Sequence, residues 1–134
     1  MKNLTSKFRP PASPAERTVV AAVTAQLAAL QPDQLRITMM HSERKETSYN
    51  LGKGEGPEGP SGKPGERFFT ADDLIGLVPF LLSENGNRRG YNVFITPFSE
   101  AVWYILLDDI VPAKLAELEG LQLTPQMLIE SSPQ

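Results

Sequence analysis

Two stretches of the chain place apolar residues three or four positions apart, which is the spacing of one helix face. The first stretch follows Ser13 and the second follows Thr70. Each of these hydroxyl residues is followed three positions later by an acid, the pattern of a capping box. The sequence therefore predicts helices over about 14–30 and 71–84.

Shorter apolar runs have the β-branched composition of strands. Two of them, at 91–97 and 101–109, are separated by a short turn, which predicts an antiparallel hairpin. The run at 101–109 is apolar on both faces, as expected of a central strand. The first and last predicted strands are "LRITMM" (35–40) and "TPQMLIESSP" near the C-terminus.

The order of these elements predicts the fold. Pro112 and Gly120 bound a short third helix ahead of the last strand. After the N-terminal helix, the order is strand, helix, strand, strand, helix, strand, which is the ferredoxin-like or RRM-like βαββαβ arrangement. We therefore expect an α/β fold of the α+β type, with a four-stranded antiparallel sheet and its helices on one face.

Composition divides the chain into a short lead and one domain. Residues 1–13 are predicted to be a flexible, slightly basic lead, and residues 14–134 a single α/β domain. A stretch rich in glycine and proline interrupts this domain at about 50–67. We expect this stretch to be a long surface loop, with a functional lid or partner-binding loop as the alternative.

The residue types present exclude several classes of function. The chain has 134 residues, 40% of them hydrophobic, which suits one soluble domain with its own core. It has no cysteine, which excludes disulfides, thiolate zinc sites, iron–sulfur clusters and a cysteine nucleophile. No apolar run approaches the ~20 residues of a membrane span, and the N-terminal residues lack the apolar core of a signal peptide. We expect a cytoplasmic protein that does not contact membranes.

Charge is distributed unevenly between the two halves of the chain. Residues 1–67 carry 10 Lys and Arg against 7 Asp and Glu, whereas residues 68–134 carry 3 against 9. Because phosphate contacts supply most nucleic-acid affinity, the net charge of −3 predicts that the chain alone binds nucleic acid weakly.

The apolar run "YILLDDI" ends in two adjacent acids, Asp108 and Asp109. Burying an unpaired charge is costly, so solvent, a helix end or a metal ion must accommodate them. The helix that begins at Pro112 offers the second possibility, since an acid at its start would be favoured by the helix dipole. The residues by themselves leave these three alternatives open.

The segment "GYNVFITPFSEAVWYILLDDI", followed by "MLIESSPQ", resembles a known family. It is similar to the catalytic domain of RepB-type replication primases of mobilisable plasmids, which are distant members of the archaeo-eukaryotic primase group. The preceding "FFTADDLIGLVPFLLSENGNRRG" is also similar to that family, so the resemblance runs from about Thr18 to the C-terminus. Family members continue beyond the position of Gln134 with a further acid and basic residues, so we expect this sequence to hold one half of the site.

The resemblance implies roles for particular residues. The two acids that end the strand bind divalent metal in that family, which maps onto Asp108 and Asp109 as ligands of Mg²⁺ or Mn²⁺ and as catalytic residues. The two serines of "ESSPQ" map onto the strand that leads toward the nucleotide. The predicted contacts to nucleotide or nucleic acid are Arg88, Arg89, Tyr104, Ser131 and Ser132.

Three functions remain open at this point. The first is a primase-like nucleotidyltransferase domain of a plasmid or phage that binds nucleotide or single-stranded DNA. The second is a non-catalytic scaffold derived from a primase that binds a protein partner, such as a phage or plasmid inhibitor protein of the anti-defence type. The third is a nucleic-acid adaptor that uses an open sheet face.

His41, the only histidine, is expected to have a surface role in a loop or at a strand end.

Overall fold

The computed structural model describes residues 4–52, 67–86, 88–104, 111–122 and 127. Three helices and three strands are formed by these residues. They are α1 (Pro14–Leu30), β1 (Gln34–His41), β2 (Tyr49–Asn50), α2 (Ala71–Asn85), β3 (Tyr91–Phe98) and α3 (Pro112–Gly120), with 3₁₀ turns at Leu4–Lys7 and Lys45–Thr47.

Both long helices begin at the capping boxes that the sequence predicts. The Ser13 hydroxyl accepts a hydrogen bond from the Glu16 N–H at 3.1 Å, and the Thr70 hydroxyl accepts one from the Asp73 N–H at 3.1 Å. In each case the carboxylate of the acid accepts a hydrogen bond from the N–H of the cap residue. Each box satisfies two backbone donors that a helix start leaves without partners. The predicted third helix is also confirmed, although its cap residue, Val111, makes no side-chain capping bond.

The sheet of the described residues has the strand order β2-β1-β3, and both pairings are antiparallel. β1 and β3 pair along their whole length, from Gln34 opposite Phe98 to His41 opposite Tyr91. These strands with the helices before and between them confirm an α+β fold that begins with a helix. The ferredoxin-like order is not confirmed, because in that arrangement the first two predicted strands would be parallel, with a third strand between them.

A return segment between β1 and α2 explains the direction of β3. After β1 the chain runs back along it, first as β2 and then at Phe69, which exchanges two backbone hydrogen bonds with Leu35 at 2.7 and 2.8 Å. The chain therefore reaches the start of α2 already beside the first residues of β1. α2 carries it back to the far end of the sheet, so that β3 must run antiparallel to β1.

The second half of the predicted hairpin is described only as far as Tyr104. Residues 101–104 form no strand, and residues 105–110 lie outside the described residues, as does all of the predicted last strand except Met127.

The turn after β3 is held by Asp33, whose N–H donates to the Phe98 carbonyl at 2.9 Å and whose carboxylate accepts from the Glu100 N–H at 2.9 Å.

The core lies between the sheet and the two long helices. Alternate residues of β1 point to this side and are buried, as expected of a strand with one face on a core. α1 and α2 cover the same face of the sheet, as the sequence predicts. The buried apolar cluster comprises Leu4, Leu27, Leu35, Ile37, Met39, Leu51, Phe69, Leu74, Leu77 and Leu81.

Residues 4–12, which the sequence places ahead of the domain, contact it. Leu4 is buried and Phe8 packs against the same core. The Arg9 N–H donates to the Gly76 carbonyl in α2 at 3.2 Å, and the Arg9 guanidinium pairs with the Glu16 carboxylate at 2.6 Å. These contacts connect the lead to the first turn of α1 and to the middle of α2.

Candidate functional site

The predicted site residues divide into those that the structure describes and those that it does not. Arg88, Arg89 and Tyr104 are described. Asp108, Asp109, Ser131 and Ser132 lie outside the described residues, so their predicted roles stay predictions.

Arg88 and Arg89 lie in the tight turn between α2 and β3, and both side chains are exposed. The turn is closed by the N–H groups of Arg89 and Gly90, which donate to the Gly86 carbonyl at 3.0 and 2.8 Å. Gly90 has a φ of +74°, a left-handed conformation that glycine adopts without strain. The Arg89 guanidinium pairs with Glu84 at 3.2 Å and lies 6.0 Å from the centre of the Tyr91 ring. Arg89 is therefore oriented by its neighbours at the start of β3.

His41 is the last residue of β1 and lies next to this turn. It is buried, with 6% of its surface exposed. The strand-end position confirms one part of the expectation for this residue, but the expected surface location is wrong. Its Nδ1 accepts hydrogen bonds from the N–H groups of Glu43 and Arg44 at 3.1 and 2.8 Å. A nitrogen that accepts two bonds carries no proton, so the neutral ring must hold its proton on Nε2. His41 thereby organises the loop after β1.

Three aromatic rings meet at this end of the sheet. The Tyr91 ring contacts His41 edge to face, with centroids 5.1 Å apart, and Tyr49 at 5.7 Å. Burial raises the pKa of the Tyr49 phenol, and the nearby Glu84 carboxylate adds to this shift. With Arg89 beside Tyr91, this end of the sheet combines aromatic surface with a guanidinium, two features that suit a base or a phosphate group.

Tyr104 lies at the opposite end of β3 and is half-buried. Its hydroxyl donates to the carbonyl of Leu30, the last residue of α1, at 2.7 Å. The neighbouring Trp103 is 96% exposed. Tyr104 is therefore attached to the end of α1, and its predicted contact with nucleic acid stays a prediction.

An apolar cleft of about 500 Å³ opens between α1, α2 and β3. Gln26 and Asn85 are the polar residues among its described lining, and that lining contains no charged side chain. Such a surface suits apolar groups rather than phosphates or metal ions. The apolar residues that line it include Val19, Val23, Leu27, Leu74, Val78, Leu82, Val93, Ile95, Pro97 and Met127.

Sequence reasoning considered an open sheet face but did not identify the residues that form it. The register pairs Arg36 with Thr96 and Thr38 with Phe94, and these positions alternate with the buried ones of β1. Phe94 is 50% exposed on this face. The signal was present in "YNVFITPF", where two phenylalanines four positions apart must share a face of a strand. It was missed because the face that they share depends on the pairing with β1.

Within the described residues, no group of three or more His, Asp or Glu side chains is placed to hold a metal ion. By chemistry, Asp108 and Asp109 remain suitable ligands, because carboxylate oxygens are what Mg²⁺ and Mn²⁺ prefer. No helix in the described part of the chain combines the length and apolar character needed to cross a membrane.

Comparisons of the chain with protein-family models, with curated proteins and with solved structures found no match.

Proposed function

We propose that this chain is a primase-like domain of a mobile element, a plasmid or a phage, and carries the metal-binding half of a nucleotidyltransferase site. Asp108 and Asp109 hold Mg²⁺ or Mn²⁺ in this proposal, and Arg88 and Arg89 contact the phosphates of a nucleotide or of single-stranded DNA. Tyr104, Ser131 and Ser132 complete the proposed contacts, and the two serines are those that the family resemblance suggests.

The observation that carries the proposal is the order of features around β3. The residues "NVFITP" lie within one continuous strand, at an edge of the sheet that the described residues form. Two exposed arginines immediately precede this strand, and the acid pair follows Tyr104 by only a few residues. An antiparallel return beside β3, as the sequence predicts, would carry Asp108 and Asp109 back toward the two arginines.

The chemistry of these residues suits phosphoryl transfer. A divalent cation bound to two carboxylates would neutralise phosphate charge and polarise the phosphoryl group, whose phosphorus atom is attacked. A guanidinium can donate two parallel hydrogen bonds to a phosphate group, which orients the phosphate as well as attracting it. Arg89 is already held in one orientation by Glu84 and Tyr91, whereas a freely rotating side chain would lose more entropy on binding.

Isothermal titration with MnCl₂, followed by a nucleoside triphosphate, tests the proposal. The variant with Asp108→Asn and Asp109→Asn should lose most of the Mn²⁺ binding seen with the unmodified chain. A matched control carries Asp72→Asn and Glu119→Gln, which remove the same charge from two exposed acids. The control should bind Mn²⁺ as the unmodified chain does. Absence of Mn²⁺ binding by the unmodified chain, or equal binding by both variants, would contradict the proposal.

A second candidate function, a protein-binding scaffold derived from a primase, is favoured by the residues just before the acid pair. Trp103 is 96% exposed and Val102 is 46% exposed. Large aromatic side chains dominate the binding energy of protein interfaces, so an exposed tryptophan beside a valine is suited to a partner protein. In this function the acids would be a remnant of the primase site, and the partner could be a defence protein that the chain inhibits.

Affinity purification from host cells, followed by mass spectrometry, separates the two functions. A scaffold should retain its partner in the variant with Asp108→Asn and Asp109→Asn, and lose it in Trp103→Ala. The scaffold function is refuted when no copurifying protein depends on Trp103.

A further inference from the structure

The sheet face opposite the helices, here called the open face, consists of alternate residues of β1 and β3 and their neighbours. Each of these side chains is exposed or half-buried, whereas the other side of β1 is buried. The residues of the open face are Gln34, Arg36, Thr38, Met40, Asn50, Phe68, Asn92, Phe94, Thr96 and Phe98.

Aromatic rings and one guanidinium form a row across this face. Phe94 is 50% exposed in the middle of β3. Phe98 lies on the same face four residues later, about 13 Å along the strand. The Arg36 guanidinium lies 5.7 Å from the centre of the Phe98 ring, and Phe68 contacts the same ring edge to face at 5.3 Å. The row therefore offers flat surfaces at two positions along the strand.

The polar residues between these rings have uncharged hydrogen-bonding groups. Thr38 and Asn50 bond to each other at 2.8 Å, and Asn92 is exposed near the other end of the strand. Among the described residues of the open face, Arg36 is the one charged side chain, and none is a carboxylate.

This combination favours nucleobases over an apolar protein surface. A base has a flat ring that stacks on phenylalanine or on a guanidinium, and a polar edge that bonds to threonine and asparagine. A protein interface of similar area would be expected to have a contiguous apolar centre. Here Thr96 separates Phe94 from Phe98 along the strand, and Met40 is the one aliphatic side chain among the described residues of the open face.

We infer that the open face binds single-stranded nucleic acid by stacking about two or three bases on Phe94 and on the Arg36 and Phe98 pair. The inference rests on the proposed function and deepens it, because it names the surface that holds the single-stranded nucleic acid. With a single cation on the face, binding should depend weakly on salt, with a slope of log K against log [salt] no steeper than about −1 to −2.

Fluorescence anisotropy with labelled oligothymidylate and oligouridylate of about ten nucleotides tests the inference. The titrations are made at low salt in EDTA, so that no divalent metal contributes. Phe94→Ala and Phe94→Leu should each weaken binding about tenfold, because neither side chain can stack on a base. Phe94→Tyr should bind within about twofold of the unmodified chain, since its ring stacks equally well.

Leu121→Ala is the matched control, because it removes an apolar side chain that is 71% exposed and lies off the open face. It should leave binding unchanged. Circular dichroism of each variant establishes that it is folded, which is expected because Phe94 is not part of the buried cluster. A comparison of the two oligonucleotides determines whether the face distinguishes DNA from RNA.

The outcomes separate this inference from the proposed function. Binding in EDTA that survives Asp108→Asn with Asp109→Asn but is lost in Phe94→Ala supports the open face, even if Mn²⁺ does not bind. No binding of either oligonucleotide by the unmodified chain, or equal binding by Phe94→Ala and Phe94→Tyr, overturns the inference and leaves the metal experiment to decide the proposed function.

Discussion

The Glu16 carboxylate receives hydrogen bonds from three different residues. The Arg9 guanidinium donates to it at 2.6 Å, and the N–H groups of Ala12 and Ser13 donate at 2.9 and 3.0 Å. Since these donors, Arg9 first among them, favour the ionised form, they lower the pKa of Glu16 from 4.5 to about 2. One side chain thus caps α1 and attaches the N-terminal lead to it.

The lowered pKa predicts how stability depends on pH. A carboxyl whose pKa is lower in the folded than in the unfolded state stabilises the fold above pH 4.5, and this stabilisation is lost as the pH falls toward 2. Glu16→Gln should therefore lower the midpoint of thermal unfolding at pH 7, with the difference closing as the pH falls through that interval. Glu119→Gln, which removes one carboxylate from an exposed position of α3, is the control and should lower the midpoint at pH 7 by less than Glu16→Gln does. A constant difference at every pH would contradict the interpretation.

Glycine is required at position 90 for two reasons, the backbone conformation there and the closeness of the His41 ring. Its φ is +74°, and a Cβ added there would lie 3.1 Å from Nε2 of the buried His41 ring. We predict that Gly90→Ala lowers the free energy of unfolding by about 1 to 3 kcal/mol, measured by urea denaturation. Gly120→Ala is the control, because a Cβ at Gly120 meets no atom within 4 Å. Equal effects of the two substitutions would show that the contact with His41 has no part in the cost.

At the scale of single elements, helix ends contribute stability that can be measured one residue at a time. The Thr70 hydroxyl caps α2, whose buried leucines form much of the core. Thr70→Ala should cost about 1 kcal/mol in the free energy of unfolding, as is usual for a lost N-cap. Thr18→Ala is a suitable control, since this exposed hydroxyl only bonds back to the Pro14 carbonyl within α1. The control should be neutral or slightly stabilising, and an equal loss in both variants would argue against capping.

The strands show where the local sequence pattern no longer predicts the structure. β1 and β3 were predicted from their β-branched composition, but β2 has only two residues and therefore no periodicity to detect. Its pairing with β1, followed by that of Phe69, reverses the chain once more before α2. The direction of β3 depends on this additional reversal. The predicted list of helices and strands therefore could not decide whether the strands follow the ferredoxin-like order.

At the scale of the whole molecule, metal binding should be linked to folding. A ligand that binds only the folded state at about 100 times its Kd adds about 2.7 kcal/mol to stability. For a domain of this size we predict that saturating Mn²⁺ raises the unfolding midpoint by about 10 °C. The rise should be absent in the variant with Asp108→Asn and Asp109→Asn and present in the one with Asp72→Asn and Glu119→Gln. A rise of equal size in all three proteins would indicate binding elsewhere.

The candidate site was predictable only in its residue types. Arg88 and Arg89 were named as contacts from the sequence, but their relation to Tyr91 and Glu84 depends on how α2 meets β3. The burial of His41 was not predictable from a single histidine in a polar sequence, because it depends on the rings and backbone that surround it. The acid pair remains a prediction from sequence.

The sequence by itself determined the three helices, the capping boxes of the two long ones, the two long strands and the α+β class. These features depend on apolar spacing and capping residues within a few positions of one another, where local forces dominate. Only the tertiary structure decided the strand order, the burial of His41 and the membership of the open face. Each of these depends on the pairing of β1 with β3, whose residues are far apart in the chain, and no local pattern specifies which distant strand will be the partner.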